Sequence, residues 1–192
     1  VAGKYVDVTG SDEATDCIDC VMGKYIDVAG SDASSDCIDC VAGAYVAATG
    51  SSAASDCINC ALGKYSAASS DGLDDCLDCA LGRYSATTPI AEAGCIDCVA
   101  GKYVDVTGSD EATDCIDCVA GKYVEETGSP LESNCTMCAS GKYSETVGSA
   151  FESDCIECFA GKYIDVPGSN SSTDCIDCVA GKYVEETGSP LE

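Results

Sequence analysis

One cysteine pair returns about every twenty residues, and this period constrains the chain more than any other feature. Cys17-Ile18-Asp19-Cys20 is followed at once by Val21-Met22-Gly23-Lys24-Tyr25, and Cys37-Ile38-Asp39-Cys40 by Val41-Ala42-Gly43-Ala44-Tyr45. The first cysteines stand at Cys17, Cys37, Cys57, Cys76, Cys95, Cys115, Cys135, Cys155 and Cys175, at intervals of 20, 20, 19, 19, 20, 20, 20 and 20 residues. A fixed period of this length marks a repeat array, in which short modules gain stability by stacking on their neighbours. The modules run 1–20, 21–40, 41–60, 61–79, 80–98, 99–118, 119–138, 139–158, 159–178 and, in part, 179–192, as one continuous tandem array. Residues 1–20 recur as 99–118, and 119–132 as 179–192; such uniformity suits a polymer better than a binder that needs distinct surfaces. Val1-Ala2-Gly3-Lys4-Tyr5 is text that elsewhere follows a cysteine pair, and Glu192 falls inside a module. The 192 residues are therefore expected to be a window on a longer array.

Eighteen Cys in 192 residues, with two Phe and no Trp, describe a disulfide scaffold rather than a packed apolar core. The expected compartment is oxidising, hence extracellular, secreted or cell-surface. Acidic residues number 34 against 9 basic ones, a net charge of −25. That excludes nucleic acid as a partner, because phosphates would be repelled. No run approaches the roughly 20 apolar residues of a membrane helix, so this segment is not expected to insert.

Residue types segregate within the module. Tyrosine occupies a single G-x-Y slot, at Tyr5, Tyr25, Tyr45, Tyr65, Tyr84, Tyr103, Tyr123, Tyr143, Tyr163 and Tyr183. The nine cations directly precede those tyrosines, and Ala44 is the single gap. Each is read as balancing a nearby carboxylate while its stem covers the ring. Lys24–Val28 alternates and is rich in β-formers, so it reads as a short strand; Gly30-Ser31-Asp32 reads as a turn. Two glycines per module leave no room for a helix. The expected fold is small, disulfide-rich and irregular all-β: an elongated tandem-repeat rod without helices or a large core.

The cysteine pairs have three uses to weigh. Structural zinc fits the C-x₂-C-x₁₆-C-x₂-C spacing, but nine pairs do not divide into Cys₄ sites. Redox catalysis needs a lowered thiol pKa, whereas Asp16 and Asp19 raise it. Structural disulfides remain, and a bridge inside C-I-D-C would close a strained small ring. Joining the second cysteine of one pair to the first of the next gives Cys20–Cys37, Cys40–Cys57, Cys60–Cys76, Cys79–Cys95, Cys98–Cys115, Cys118–Cys135, Cys138–Cys155 and Cys158–Cys175. Cys17 and Cys178 are then expected to pair outside the fragment.

The pattern C-x₂-G-x-Y-x₄-G-x₆-C, as in Cys20 through Cys37, resembles the cysteine-rich repeats of ephrin-receptor-like and tumour-necrosis-factor-receptor-like type. The resemblance covers the whole chain, with shortened spacing in the modules ending at Cys76 and Cys95. It implies modules stacked into elongated rods, with the tyrosines from Tyr5 to Tyr183 packing on disulfides. Such repeats occur in receptors, in adhesion proteins and in extracellular fibre and surface proteins of algae and protists.

The remaining polar residues yield further candidates. Asp16, Asp19, Asp36, Asp39 and their repeats are hard oxygen donors; loosely bound Ca²⁺ is the most expected of them, and no cofactor. Asn134-Cys135-Thr136 and Asn170-Ser171-Ser172 are glycosylation sequons. Thr9-Gly10-Ser11 and Ser69-Ser70 are candidate O-glycan carriers, and Ser129-Pro130 and Ser189-Pro190 are candidates if their prolines are hydroxylated. No catalytic set is present: there is no His, no nucleophile beside a base and no pocket-forming core, so an enzyme is not expected. The leading expectation is a structural repeat of an extracellular filament, surface hair or stalk, self-associating and glycosylated. The alternatives are a receptor or adhesion ectodomain with a ligand-binding face, and a Ca²⁺-dependent cell-wall or matrix component.

Overall fold

Lys-Tyr beside a glycine, and Ile-Asp between two cysteines, are each too short to hold a strand alone, and they fold onto each other. In the computed structural model, which describes residues 1–180, 182 and 186–189, β1 (Lys4–Tyr5) pairs antiparallel with β2 (Ile18–Asp19), Lys4 opposite Asp19 and Tyr5 opposite Ile18. The same register joins β3 (Lys24–Tyr25) to β4 (Ile38–Asp39), β5 (Ala44–Tyr45) to β6 (Ile58–Asn59) and β7 (Lys64–Tyr65) to β8 (Leu77–Asp78). After β9 (Arg83–Tyr84) and β10 (Ile96–Asp97) come β11 (Lys102–Tyr103) with β12 (Ile116–Asp117) and β13 (Lys122–Tyr123) with β14 (Thr136–Met137). β15 (Lys142–Tyr143) with β16 (Ile156–Glu157) and β17 (Lys162–Tyr163) with β18 (Ile176–Asp177) complete the series.

The expected strand over Lys24–Val28 stops after Tyr25, for a reason that lies in the neighbouring modules. Ile26 turns its hydrogen bonds outward: its N–H donates to Ser51 O at 3.1 Å, and its carbonyl accepts from Gly3 N–H at 2.9 Å. A second difference is a three-residue 3₁₀ turn ahead of the first cysteine of each pair, as at Ala14–Asp16 and Ala54–Asp56. No α-helix occurs among the described residues. The result is a disulfide-rich all-β repeat structure built of ~20-residue modules.

The chain forms two compact bodies. One comprises Val1–Cys79, Ser85–Ile96 and Gly108–Asp110; the other comprises Ala80–Tyr84, Asp97–Thr107 and Glu111–Glu192. The same bonds run inside each. In the first, Gly23 N–H donates to Val46 O at 2.8 Å and Val6 N–H to Ser31 O at 3.0 Å; in the second, Gly101 N–H donates to Val124 O at 2.8 Å and Val104 N–H to Ser129 O at 3.2 Å. These tie each module to the next.

A further set skips one module. Gly50 N–H donates to Cys20 O at 2.8 Å in the first body, and Gly148 N–H to Cys118 O at 2.8 Å in the second. That contact brings two backbones together at a glycine. Gly3 and Gly101 sit at φ +87° and +86°, and a Cβ on them would overlap the carbonyl oxygens of Gly50 and Gly148, two modules on. The left-handed backbone and the lack of space both require glycine there.

The two 19-residue modules keep this frame by losing a residue in different turns. Ser69 stands in for the second glycine at φ +62°, its N–H on Cys40 O, and the segment from Tyr65 to Ser70 is one residue shorter than that from Tyr45 to Ser51. In the next module Ile90 takes the serine's place, accepting from Ser66 N–H at 3.3 Å, and the residue is lost between Ile90 and Cys95.

The expectation for stability follows from the skipped-module contact. Gly101→Ala should cost at least ~3 kcal/mol, whereas Gly10→Ala, at φ +86° in open space, should cost only the ~1 kcal/mol of the left-handed backbone. Urea unfolding of the oxidised protein measures both.

Candidate functional site

The recurring side chains of the module meet at one rung, made from two adjacent modules. Eight disulfides join Cys20–Cys37, Cys40–Cys57, Cys60–Cys76, Cys79–Cys95, Cys98–Cys115, Cys118–Cys135, Cys138–Cys155 and Cys158–Cys175, with Cα separations of 5.6 to 5.8 Å. Each closes a loop worth about 3 kcal/mol in the chain-entropy account. Cys17 and Cys178 are half-buried thiols. Among the described residues no group of His, Cys, Asp and Glu forms a metal site.

Tyrosine packs on the disulfide of the following module. Tyr5 lies against Cys20, Ile26 and Cys37; Tyr84 against Cys98, Val104 and Cys115; Tyr143 against Cys158, Ile164 and Cys175. Tyr103 joins Cys118, Val124 and Cys135. Tyr25, Tyr45, Tyr65, Tyr123 and Tyr163 are half-buried at the same strand position, and Tyr183 lies outside the described residues. The residue after the tyrosine, which the sequence reading passed over, fills the space behind the bridge: Ile26, Val104 and Ile164 are 1% exposed. Where that slot holds serine the hydroxyl is satisfied internally. Ser66 Oγ accepts from Gly43 N–H at 3.0 Å, and Ser144 Oγ bonds Ser149 Oγ at 3.1 Å. The small core is thus shared across modules rather than owned by one.

The strand register brings each cation to the acid between the cysteines. Lys4–Asp19 closes at 2.6 Å, and Arg83–Asp97, Lys102–Asp117 and Lys162–Asp177 at 2.7 Å. Lys24–Asp39, Lys64–Asp78 and Lys142–Glu157 repeat it. The exceptions follow the same rule. Ala44 faces Asn59, so the one module without a cation also lacks the acid. Where Met137 replaces the acid, Lys122 turns to Glu132 at 3.5 Å. The sequence carried this signal in the joint absence of Lys and Asp from one module. These pairs are about half exposed and contribute little stability each, on the order of 0.5 kcal/mol; they fix register.

Three of the four carboxylates named as candidate Ca²⁺ donors are engaged within the fold. Asp19 and Asp39 hold lysines. The Asp16 carboxylate accepts from Glu13 N–H at 3.4 Å, closing its own 3₁₀ turn. Asp56 accepts from Ser52 and Ala53 N–H at 2.8 and 3.0 Å, and Asp154 from Ala150 and Phe151 N–H at 3.0 Å. Asp36 is exposed at the end of the equivalent turn.

The candidate sugar carriers divide by burial. Asn170 is exposed just ahead of the 3₁₀ turn Ser172–Asp174, whereas Asn134 is half-buried at the end of a 3₁₀ turn beside bridged Cys135. Ser129 is 3% exposed and its hydroxyl donates to Glu126 O at 3.1 Å, so the fold hides it; Ser70 is 7% exposed and donates to Ala67 O at 2.9 Å. Thr9 and Ser11 stay exposed. Pro190 of the Ser189-Pro190 candidate lies outside the described residues.

A ladder of sequential disulfides, four of them packed under a tyrosine of the module before, makes a disulfide-rich repeat of the extracellular type. A family model described as tyrosine-protein kinase ephrin type A/B receptor-like matches residues 121–175, which enclose the bridges Cys138–Cys155 and Cys158–Cys175. None of the curated proteins matches the chain. No helix among the described residues is long and apolar enough to cross a membrane.

The rung also fixes a pH response. The Lys24 ammonium, and then the Ser69 hydroxyl two modules on, hold the Asp39 carboxyl below its ordinary value of 3.8. A depressed carboxylate stabilises the fold above its unfolded pKa, and that contribution is lost as pH falls through the folded value. Asp39→Asn should therefore melt below the wild type at neutral pH, with the difference closing below about pH 4. Thermal melts of the two oxidised proteins across pH 2–7, taken as a difference, cancel the general repulsion between carboxylates.

Proposed function

We propose that this chain is a non-catalytic structural segment of an extracellular filament, surface hair or stalk. The observation that carries the reading is where the chemistry-bearing residues go. Eight of the nine cations stand in ion pairs within the chain, six of the paired acids lie against a turn two modules on, and tyrosines cover disulfides. Every residue type repeated in register serves cohesion. Backbone bonds to the first and second neighbouring modules, with a covalent bridge per module, suit a load-bearing element. The surplus of acid on the remaining surface keeps it hydrated and separates neighbouring molecules, and sugar on the exposed turns, Asn170 among them, would act in the same sense.

The receptor or adhesion reading has one specific observation in its favour, the ephrin-receptor-like match at residues 121–175. The residues that vary after each Gly-Ser, such as Asp32-Ala33-Ser34 and Pro130-Leu131-Glu132, occupy one equivalent place, leading into the 3₁₀ turn. A ligand-reading face would use such a position.

Negative-stain electron microscopy of the native material separates the two. The structural reading expects this chain within filaments of constant width, with added density at Asn170. Dispersed single molecules bound to a soluble partner would overturn it.

A further inference from the structure

The sequon Asn170-Ser171-Ser172 is held by the module before it. Its third residue, Ser172, opens the 3₁₀ turn Ser172–Asp174, and its N–H donates to Glu145 Oε1 at 2.8 Å. The Ser172 N–H, and then its hydroxyl, hold the Glu145 carboxyl below its ordinary value of 4.5. The middle residue is fixed as well. Ser171 Oγ accepts from Thr173 N–H at 3.2 Å and shares a hydrogen bond of 2.7 Å with the Thr173 hydroxyl. Ser171 O accepts from Asp174 N–H at 3.1 Å. Asn170 itself is exposed.

Glu145 makes this clasp from a fixed place, two residues after Tyr143. Glu125, two residues after Tyr123, makes it one module earlier, where its Oε1 accepts from Glu152 N–H at 3.1 Å. Both bonds span 27 residues and end on the first residue of the next module's 3₁₀ turn. The equivalent place holds Asp7, Asp27, Asp105 and Asp165, one methylene shorter, or Ala47, Ala67 and Ala86, which cannot accept. The frame therefore folds without the clasp, and the clasp has another use at the sequon.

N-linked transfer joins Asn170 Nδ2 to the anomeric carbon of a lipid-diphosphate-linked oligosaccharide. The bond from that carbon to the diphosphate oxygen breaks, and the lipid diphosphate leaves as the amide gives up one proton. The acceptor pattern is Asn-x-Ser/Thr, so the hydroxyl of Ser172 is part of what the transferase reads. In the folded chain that hydroxyl lies on Glu145, and the turn keeps the sequon from straightening. We propose that Asn170 receives its sugar only before module 159–178 stacks on module 139–158, and that the Glu145–Ser172 bond then closes the site. Asn134-Cys135-Thr136 is closed by other means, since Cys135 is bridged to Cys118 and Thr136 pairs with Tyr123. The inference rests on the glycosylated structural reading above and deepens it by naming the step that admits or refuses the sugar.

The test uses the sugar-free chain, made in a host that lacks the transferase and oxidised until its bridges are verified by mass spectrometry. It is incubated with a purified single-subunit oligosaccharyltransferase and a dolichol-linked oligosaccharide, and Asn170 occupancy is read from peptide masses. The folded wild type should gain sugar at least about a hundredfold more slowly than the same chain reduced and alkylated. Folded Glu145→Ala should gain it about tenfold faster than the folded wild type, because a charge-assisted hydrogen bond no longer holds the turn shut. Glu145→Gln, whose side-chain carbonyl still accepts, should fall between the two. Glu125→Ala removes the same bond one module earlier and should leave the Asn170 rate unchanged, which separates the clasp from general loosening. Circular dichroism verifies each fold. Equal rates for folded and reduced wild type, a reduced chain that takes no sugar, or Glu145→Ala as slow as the wild type would overturn the proposal. So would Glu125→Ala as fast as Glu145→Ala. None of these results moves the filament reading, which the micrographs test by the width and continuity of the native material.

Discussion

From Gly3 to Gly141, two backbones approach each other at the first glycine of the module, and the geometry of the array depends on that approach. The strand after this glycine points at the next module, while the glycine itself lies under a turn from the module beyond. No side chain separates the two, because the Cβ of any other residue would overlap a carbonyl oxygen. The constraint explains why a chain that buries so few large apolar side chains folds. With two neighbours bonded above each module, backbone hydrogen bonding supplies the cohesion that a core supplies in larger domains.

Around that frame the other forces have unequal weights. Disulfides shorten the unfolded chain loop by loop, and the tyrosine and aliphatic residue on either side keep water from the sulfurs. The exposed ion pairs stabilise weakly, yet their position tells strand partners apart: lysine meets aspartate in the right register and isoleucine in a shifted one. The module of Ala44 and Asn59 shows that the frame survives without the pair. Twenty-six large apolar residues among the described ones remain exposed, Ile18, Ile38 and Ile58 with them. A twenty-residue module has too little interior to cover them, so acidity rather than burial keeps the surface dispersed.

Much of the rung was legible in the sequence. The period, the even spacing and the strain of a bridge within Cys17–Cys20 led to the pairing of successive motifs, and the fixed G-x-Y slot singled out the tyrosines. The strand ends were not legible, because what stops β3 at Tyr25 is Ile26 bonding to Ser51, a residue of another module. Local propensity carries no trace of that. The role of Asp16 and Asp56 was hidden for a related reason: a carboxylate closing its own turn and one awaiting a cation look alike in a sequence. The second-neighbour contact left a mark, the two glycines of each module, whose meaning required knowing which backbones meet. The burial of the Ser129 hydroxyl was hidden as well, because a Gly-Ser-Pro turn reads as exposed until its stacking is known.

The most direct test of this account is amide hydrogen exchange followed by NMR on the dilute, oxidised chain. Gly50, Gly128 and Gly148 donate to carbonyls two modules earlier, while Gly10 and Gly30 occupy the equivalent turn and donate to no backbone carbonyl. The account predicts slow exchange at the first three, by at least about a hundredfold, and fast exchange at the last two. Equal exchange at all five glycines would contradict it.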